Sequence, residues 1–417
     1  MIEEVQLITY YLESKNNEYL ASLGLDNSYF VSTSHIVNWI DNFKRDIGAL
    51  PTLDTVANEF EDFHIYGQLE NVEYLVKTVK SNKAYIDYRP VLIDNANMVE
   101  SGNTLDAMWQ MRSQLEELLK SHTATTTRYD WVKNATDRFD AYMEKHGQEG
   151  LNGITSGVKG LDDLTGGWKN DDLILLAGRL GEGKSLLGGL FAYNAWHSFV
   201  SAGIGSPVIF ISTEMPKLEV AYRLDTLRQH FSNRALSEGK LSDPDMYKEY
   251  LEELEKKENS FIIMTQDDNK GNAFTPTDIR SIIEVEKPGL VVIDQLYDLS
   301  DGTGERDIRK RIVNISNEVR DINLSTMTPT ILVAQAGRES AREMKKDSKA
   351  SPEAHQIQES DNPAQKATRV VTLRLMDNVF KLSLKKNRGG VRNKDIFLSA
   401  DIDLGYYKEI DEETIPF

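Results

Sequence analysis

One octapeptide constrains this 417-residue chain more than anything else in it: Gly178-Arg-Leu-Gly181-Glu-Gly183-Lys184-Ser185. It fits the GxxxxGK[ST] pattern. The apolar run Leu173–Ala177 before it reads as a strand, and Leu186–Trp196 after it reads as a helix. That order matters physically. Gly178, Gly181 and Gly183 let the backbone curl so that its N–H groups face phosphate oxygens, and the following helix N-terminus adds positive dipole character. Lys184 supplies a point charge to β- and γ-phosphates, and Ser185 offers a hydroxyl to Mg²⁺. The octapeptide therefore predicts a nucleoside triphosphate, ATP, with Mg²⁺ as the cofactors.

Three further apolar runs carry polar residues to the same place. Leu290-Val-Val-Ile-Asp294 ends in a carboxylate, and an Asp at the end of a central strand faces the crevice where ligands bind in open α/β sheets. With Ser185 it is the predicted metal pair. Pro207–Thr213 is followed by Glu214, within reach of a water in line with the γ-phosphate; the alternative is an acid in a first helical turn. Thr330–Ala334 ends in Gln335, a neutral amide that can bond a phosphate oxygen and a mobile loop, or simply cap the strand.

These runs belong to an α/β region. From Gly153 onward, apolar runs alternate with helical segments, and runs without polar alternation suggest strands buried on both faces of a mostly parallel sheet. The runs include Phe261–Thr265, Val370–Leu375 and Val379–Leu384; Ser237–Asn259 reads as a solvated surface helix. Before it, residues 1–120 show helical periodicity (Leu7, Ile8, Tyr11, Leu12; Ile36, Trp39, Ile40, Phe43; Leu105, Met108, Trp109, Met111, Leu115, Leu118), punctuated by Pro51 and Pro90. The polar stretch Ser121–Arg128 opens a linker over 121–150. Its apolar stripe Trp131, Val132, Ala135, Phe139, Tyr142 and Met143 must dock on a neighbour, in this chain or in another copy, before Gly147 and Gly150 stop the helix. The expected domains are 1–120, 121–150 and 151–417.

Composition excludes some chemistry. Without a cysteine there is no disulfide, thiol nucleophile or Cys-ligated metal, and with seven histidines there is no HExxH pair. The acidic N-terminus does not resemble a signal peptide and no apolar run is long enough to span a bilayer, so a cytoplasmic protein without membrane contact is expected. The net charge of −18 rules out a uniformly basic nucleic-acid coat. Locally the sign reverses: Arg342–Lys394 holds 13 basic and 6 acidic residues, whereas 395–417 holds 7 acids and one lysine. The stretch Gly337–Thr368 is polar and aperiodic, longer than an ordinary connection, and without an aromatic residue for base stacking. Lys385-Lys386-Asn387-Arg388 follows the last long strand expected. On an extended segment Lys386 and Arg388 project to one side, suited either to surface ion pairs or to stabilising a neighbour's γ-phosphate.

Taken in order, these features resemble the replicative hexameric helicases of the DnaB type, a branch of the RecA-like ATPases. The resemblance runs over nearly the whole chain: Ile154-Thr-Ser-Gly157 with Gly166-Gly167-Trp168, then Gly178–Ser185, Ser212-Thr-Glu214-Met215-Pro216, Asp294, Gln335 with Arg338, and Lys386-x-Arg388. It implies an all-helical N-terminal collar, a linker helix docked on the adjacent subunit, and a RecA-like P-loop ATPase domain. It implies Glu214 as catalytic base, Gln335 as sensor, and Lys386 and Arg388 acting in trans. Six subunits would ring one DNA strand and step 5′ to 3′, with primase and a helicase loader as partners. DNA contacts would fall at Arg338, Gln358, Glu359 and Lys366. The chain departs from the family in its central loop, with Gln358 in place of the usual Arg and Asp361 in place of Gly. A RecA-like ATPase that remodels or exchanges strands, and a nucleotide-gated scaffold, are the rival readings. Intact Lys184, Glu214 and Asp294 speak against the scaffold.

Overall fold

A computed structural model of the chain describes residues 2–123, 131, 132, 134–143, 146, 147, 151–257, 259–346 and 350–415. Two compact units divide between Tyr142 and Met143.

The first unit is helical. Leu7, Ile8, Tyr11 and Leu12 are buried on Ile2–Ser14, and Ile36 and Ile40 on Ser34–Ile47. Glu4, buried on the first of these helices, accepts hydrogen bonds from the Thr33 amide (2.9 Å) and hydroxyl (2.8 Å) and so secures the start of the second. Pro51 stands between helices, as expected. Pro90 does not punctuate: it lies inside the 29-residue helix Val72–Glu100, which pairs with Thr104–Thr123. Asn95, buried on that helix, donates to Val91 O (2.7 Å) and Gln114 Oε1 (2.9 Å), tying the two helices just past the missing N–H. On the second helix Met108 is exposed; the side chains of Leu105 and Trp109, like residues 124–128 and Gly150, lie outside the described residues. Trp131, Val132, Phe139, Tyr142 and Met143, on and just before the helix Ala135–Met143, are exposed, Trp131 by 74%.

The second unit is built on a sheet whose strands, among the described residues, are β1 (Leu173–Gly178), β2 (Val208–Ser212), β3 (Phe261–Met264), β4 (Leu290–Asp294), β5 (Thr330–Gln335), β6 (Arg369–Met376), β7 (Val379–Asn387), β8 (Lys394–Asp401) and β9 (Tyr406–Ile410). Their order is β3-β2-β4-β5-β1-β6-β7-β8-β9. Pairings from β3 to β6 are parallel; those from β6 to β9 are antiparallel. β1 shows why its sequence does not alternate. Ile174 and Leu176 face one core with Leu187 and Phe191, while Leu173, Leu175 and Ala177 face the other with Ile312 and Ile315. Both sides are covered, so every position must be apolar.

Register then sets the working edge. Gly178 lies beside Gln335, and Ser212 beside Asp294, so the C-terminal ends of four parallel strands converge. Below them, Ile154 and Trp168 form an antiparallel bridge that fastens the entry segment to the domain. Gly167 is required there: at φ 75°, a Cβ would come within 2.7 Å of the Gly153 backbone.

Several sequence expectations need correction. The Ser237–Asn259 segment is not one solvated helix. Its first two residues end the helix Asn233–Glu238, which Gly239 stops at φ 65°, and a new helix, Pro244–Leu254, starts from the Asp243 cap; Tyr250 on the latter is buried with Phe231 and Leu236. β3 is an edge strand and only half-buried. The stretch Gly337–Thr368 contains the helices Arg338–Lys346 and Asn362–Lys366 and a bridge from Ala336 to Ile357. Lys385 and Lys386 do not follow the last strand. They lie inside β7, with β8 and β9 beyond it, strands whose exposed outer residues obscure the apolar signal.

Candidate active site

The phosphate loop turns out of β1 and enters the helix Lys184–Ala202. Gly181 and Gly183 both hold φ 80°, which an L-residue rarely adopts. Gly183 is further confined, since a Cβ there would meet Phe380 at 2.6 Å. Lys184 Nζ donates to the carbonyl of Arg179 across the loop at 3.2 Å. Burial lowers the Lys184 pKa, and the carboxylates of Asp294, Glu214 and Glu182 pull it back up. The ammonium therefore faces three acids, and among the described residues it has no second fixed partner, which suits it to an incoming polyanion. Glu182 is pinned by the Leu375 amide of β6; burial raises its pKa.

Asp294 ends β4 and is 1% exposed. The Ser185 hydroxyl lies near enough to the carboxylate to favour its charged form, while Oδ2 has no partner among the described residues. Burial pushes its pKa up to about 6, Glu214 adding to the shift and the Ser185 hydroxyl and Lys184 opposing it. A buried carboxyl with an orphaned oxygen, beside a hydroxyl, is a donor set suited to Mg²⁺, which keeps waters and phosphate oxygens as its other ligands. Among the described residues no cluster of three or more His, Cys, Asp or Glu offers an all-protein metal cage.

Glu214 is exposed beyond the end of β2. Thr213 holds the turn that presents it: its amide donates to Asp294 O at 2.7 Å, and its hydroxyl donates to Asp298 Oδ2 at 2.8 Å while accepting from the Gln295 amide at 2.9 Å. The Gln295 side chain donates to Glu214 Oε1. Sequence reading passed over Gln295 and Thr213; their immediate adjacency to Asp294 and Glu214 was the available signal.

Beyond Gln335 lies a cavity of about 680 Å³ lined by Gln335, Arg338, Gln358 and Glu359 together with Arg179 and His355. The structure thus gathers the expected sensor with three of the four expected DNA contacts. Lys366 is not among the lining residues; it stands exposed at the end of Asn362–Lys366. Asp361, in place of the family's glycine, has φ −83°, a value open to any residue. The left-handed position in this loop is Glu359, at φ 64°. A second cavity, of about 150 Å³, opens from Ser185 and Leu186 between Met215, Arg223, Ile402 and Tyr407. Burial raises the Tyr407 pKa to about 12, with Arg223 opposing. Arg223 and Tyr407 come from elements far apart in sequence, which is why they went unnoticed.

Lys386 donates to the carbonyls of Ala364 (3.0 Å) and Gln365 (2.8 Å), so it is anchored within its own subunit by carbonyls rather than by a surface ion pair. Burial lowers its pKa, and Arg320 and Arg388 lower it further. Arg388 is exposed, its backbone amide bonded to Thr368 O.

A parallel sheet with a phosphate loop, a strand-end Asp and a neighbouring Glu defines a RecA-like P-loop ATPase fold. The DnaB-like helicase C-terminal domain model matches residues 153–398, more than half the chain, and the chain belongs to that family. It is 26% identical over 307 residues to the "Probable replicative DNA helicase" of Trieres chinensis, across 72% of this chain and 65% of that protein. It is 24% identical over 375 residues to the "Replicative DNA helicase DnaC" of Bacillus subtilis, across 86% of this chain and 78% of that protein. The alignment thus spans just under two thirds of the Trieres relative. The solved structure of a DnaB-like replicative helicase, described with its interactions with primase, covers 98% of this chain and 99% of its own at a TM-score of 0.68 and 17% identity, which establishes a shared fold.

Proposed function

We infer that the chain is an ATP-driven replicative DNA helicase, working as a six-membered ring that moves 5′ to 3′ on single-stranded DNA. One observation carries the reading. Lys184, Ser185 and the orphaned oxygen of Asp294 converge at the end of β1 and β4, with the Glu214 carboxylate bound to the next residue, Gln295.

In this reading the loop amides and Lys184 hold the β- and γ-phosphates, and Ser185 and Asp294 hold Mg²⁺, which neutralises phosphate charge. The nucleotide base enters the cavity between Arg223 and Tyr407, whose apolar walls and aromatic face suit it. Glu214 orients the attacking water and takes its proton. Gln295, which binds that carboxylate, keeps it aimed. Arg388, exposed and without an ion pair among the described residues, stabilises charge on the γ-phosphate of an adjacent copy, with Lys386 beside it. Gln335 senses the γ-phosphate. Arg338, Gln358, Glu359 and Lys366 form the DNA-facing surface, through backbone amides as much as cations. A primase and a loader are the expected protein partners.

The test is turnover of ATP with and without single-stranded DNA, alongside native mass spectrometry. DNA-stimulated hydrolysis by a hexamer supports the motor. Stimulation without unwinding of a forked duplex favours the remodelling ATPase, and silence in both states favours a scaffold.

A further inference from the structure

The cavity loop is not an independent flap. Ala336 bridges Ile357, the Gly337 amide donates to Gln356 O at 2.6 Å, and the Gln358 amide donates to Gln335 O at 2.9 Å. The segment carrying Gln358 and Glu359 is therefore laced to the end of β5. Arg179, inside the phosphate loop, also holds this platform, donating from Nη1 to Ala336 O at 2.6 Å.

Tyr297 meets the same platform from the Asp294 side. It sits in the short turn Leu296–Asp298 that directly follows β4, and Asp298 of that turn is bonded to Thr213. Its hydroxyl lies 2.7 Å from Gln358 O and 3.2 Å from Gln335 O. A phenol has one proton, so it can serve only one of these carbonyls well. At 2.7 Å the proton belongs to Gln358. Gln335 O is not stranded, because it accepts the Gln358 amide. Burial, with Glu359 adding to it, raises the Tyr297 pKa, so the group remains a donor at neutral pH. The next residue along, Glu359, is held at φ 64°, a conformation that persists only where its surroundings fix it.

We propose that Tyr297 is a positioning residue that couples the nucleotide site to the DNA-facing loop, keeping its proton and turning its one hydrogen bond between the carbonyls of Gln358 and Gln335. The inference rests on the reading that Gln358 and Glu359 face DNA. Metal and nucleotide at Asp294 and Glu214 act on the turn through Thr213 and Asp298. A small rotation of the turn moves the hydroxyl from the loop carbonyl to the strand carbonyl and frees Gln358 and Glu359 to change conformation. Phosphate chemistry and DNA grip are then linked without Tyr297 touching either ligand.

The test is Y297F in the full chain, which removes the hydroxyl and keeps the ring. Unstimulated kcat and the KM for ATP stay within two-fold of the parent. Stimulation by single-stranded oligo-dT falls about five-fold, the worth of one net hydrogen bond. Backbone hydrogen exchange over 356–360 quickens in the absence of nucleotide. Full stimulation of Y297F overturns the proposal, as does an equal fall in stimulated and unstimulated rates, which marks a purely structural tyrosine. Unchanged exchange at the loop also overturns it. A parent that oligo-dT does not stimulate brings down the DNA reading itself, an outcome distinct from a stimulated parent with an equally stimulated variant.

Discussion

Asp294→Asn separates what this site costs the fold from what it does for chemistry. The parent carboxyl is nearly inaccessible and its pKa is pushed from 3.8 up to about 6. A raised acid favours folding while protonated: that contribution is complete below about pH 3.8 and is lost as pH rises through about 6. Two pKa units correspond to about 3 kcal/mol of penalty above pH 7. Asparagine carries no charge but brings an amide N–H to a place where Oδ2 now has no partner, costing about 1 kcal/mol. The variant gains about 2 kcal/mol at pH 8. At pH 4.5, where the parent's penalty has shrunk to about 1 kcal/mol, the two proteins converge. The assay is urea unfolding of the Met143–Phe417 unit in the full chain, with EDTA and without nucleotide. Adding Mg²⁺ and ATP reverses the order, since the orphaned oxygen then has a cation and only the parent can offer a charge to it. A variant no more stable than the parent at pH 8 in EDTA would refute the reasoning, because it would mean the carboxylate is already compensated in the empty site.

Lys184→Ala removes the ammonium that faces Asp294, Glu214 and Glu182, and steady-state hydrolysis should fall below detection; turnover near the parent's level would remove the phosphate-loop assignment. Glu214→Gln should lower turnover about 100-fold or more while ATP remains bound, as read by filter retention of labelled nucleotide. Arg388→Ala, which alone should cost about 10³-fold in kcat, should poison mixed rings beyond its mole fraction, and strictly proportional loss argues against action in trans. Gly183→Ala, with its Cβ driven toward Phe380 at φ 80°, should destabilise the unit by about 1–3 kcal/mol and weaken nucleotide binding, read by thermal melts with and without ATP.

Much of the site was legible because phosphate chemistry is local. Gly178–Ser185 is contiguous, and Asp294, Glu214 and Gln335 each close an apolar run, so the period of hydrophobicity places them at strand ends before any coordinate does. The same logic located the N-terminal helices through Leu7, Ile8, Ile36 and Ile40. It failed where burial is shared or one-sided. Pro90 was expected to punctuate, and only the paired partner helix shows that Val72–Glu100 continues through it. β8 and β9 sit at a sheet edge with outward-facing polar residues, so their pattern is too weak to register.

What the chain by itself determined is which residue types end which strands, because side-chain period and turn chemistry are written within a few positions. Tertiary structure alone decided which of those ends meet. The parallel register puts Ser212 beside Asp294 and Gly178 beside Gln335, across 82 and 157 residues of chain respectively. It also anchors Lys386 on the carbonyls of a neighbouring helix and places the Tyr297 hydroxyl between two carbonyls. Such contacts form between groups whose only relation is the closing of long loops, whose entropy cost rises slowly with length and leaves no local trace in composition.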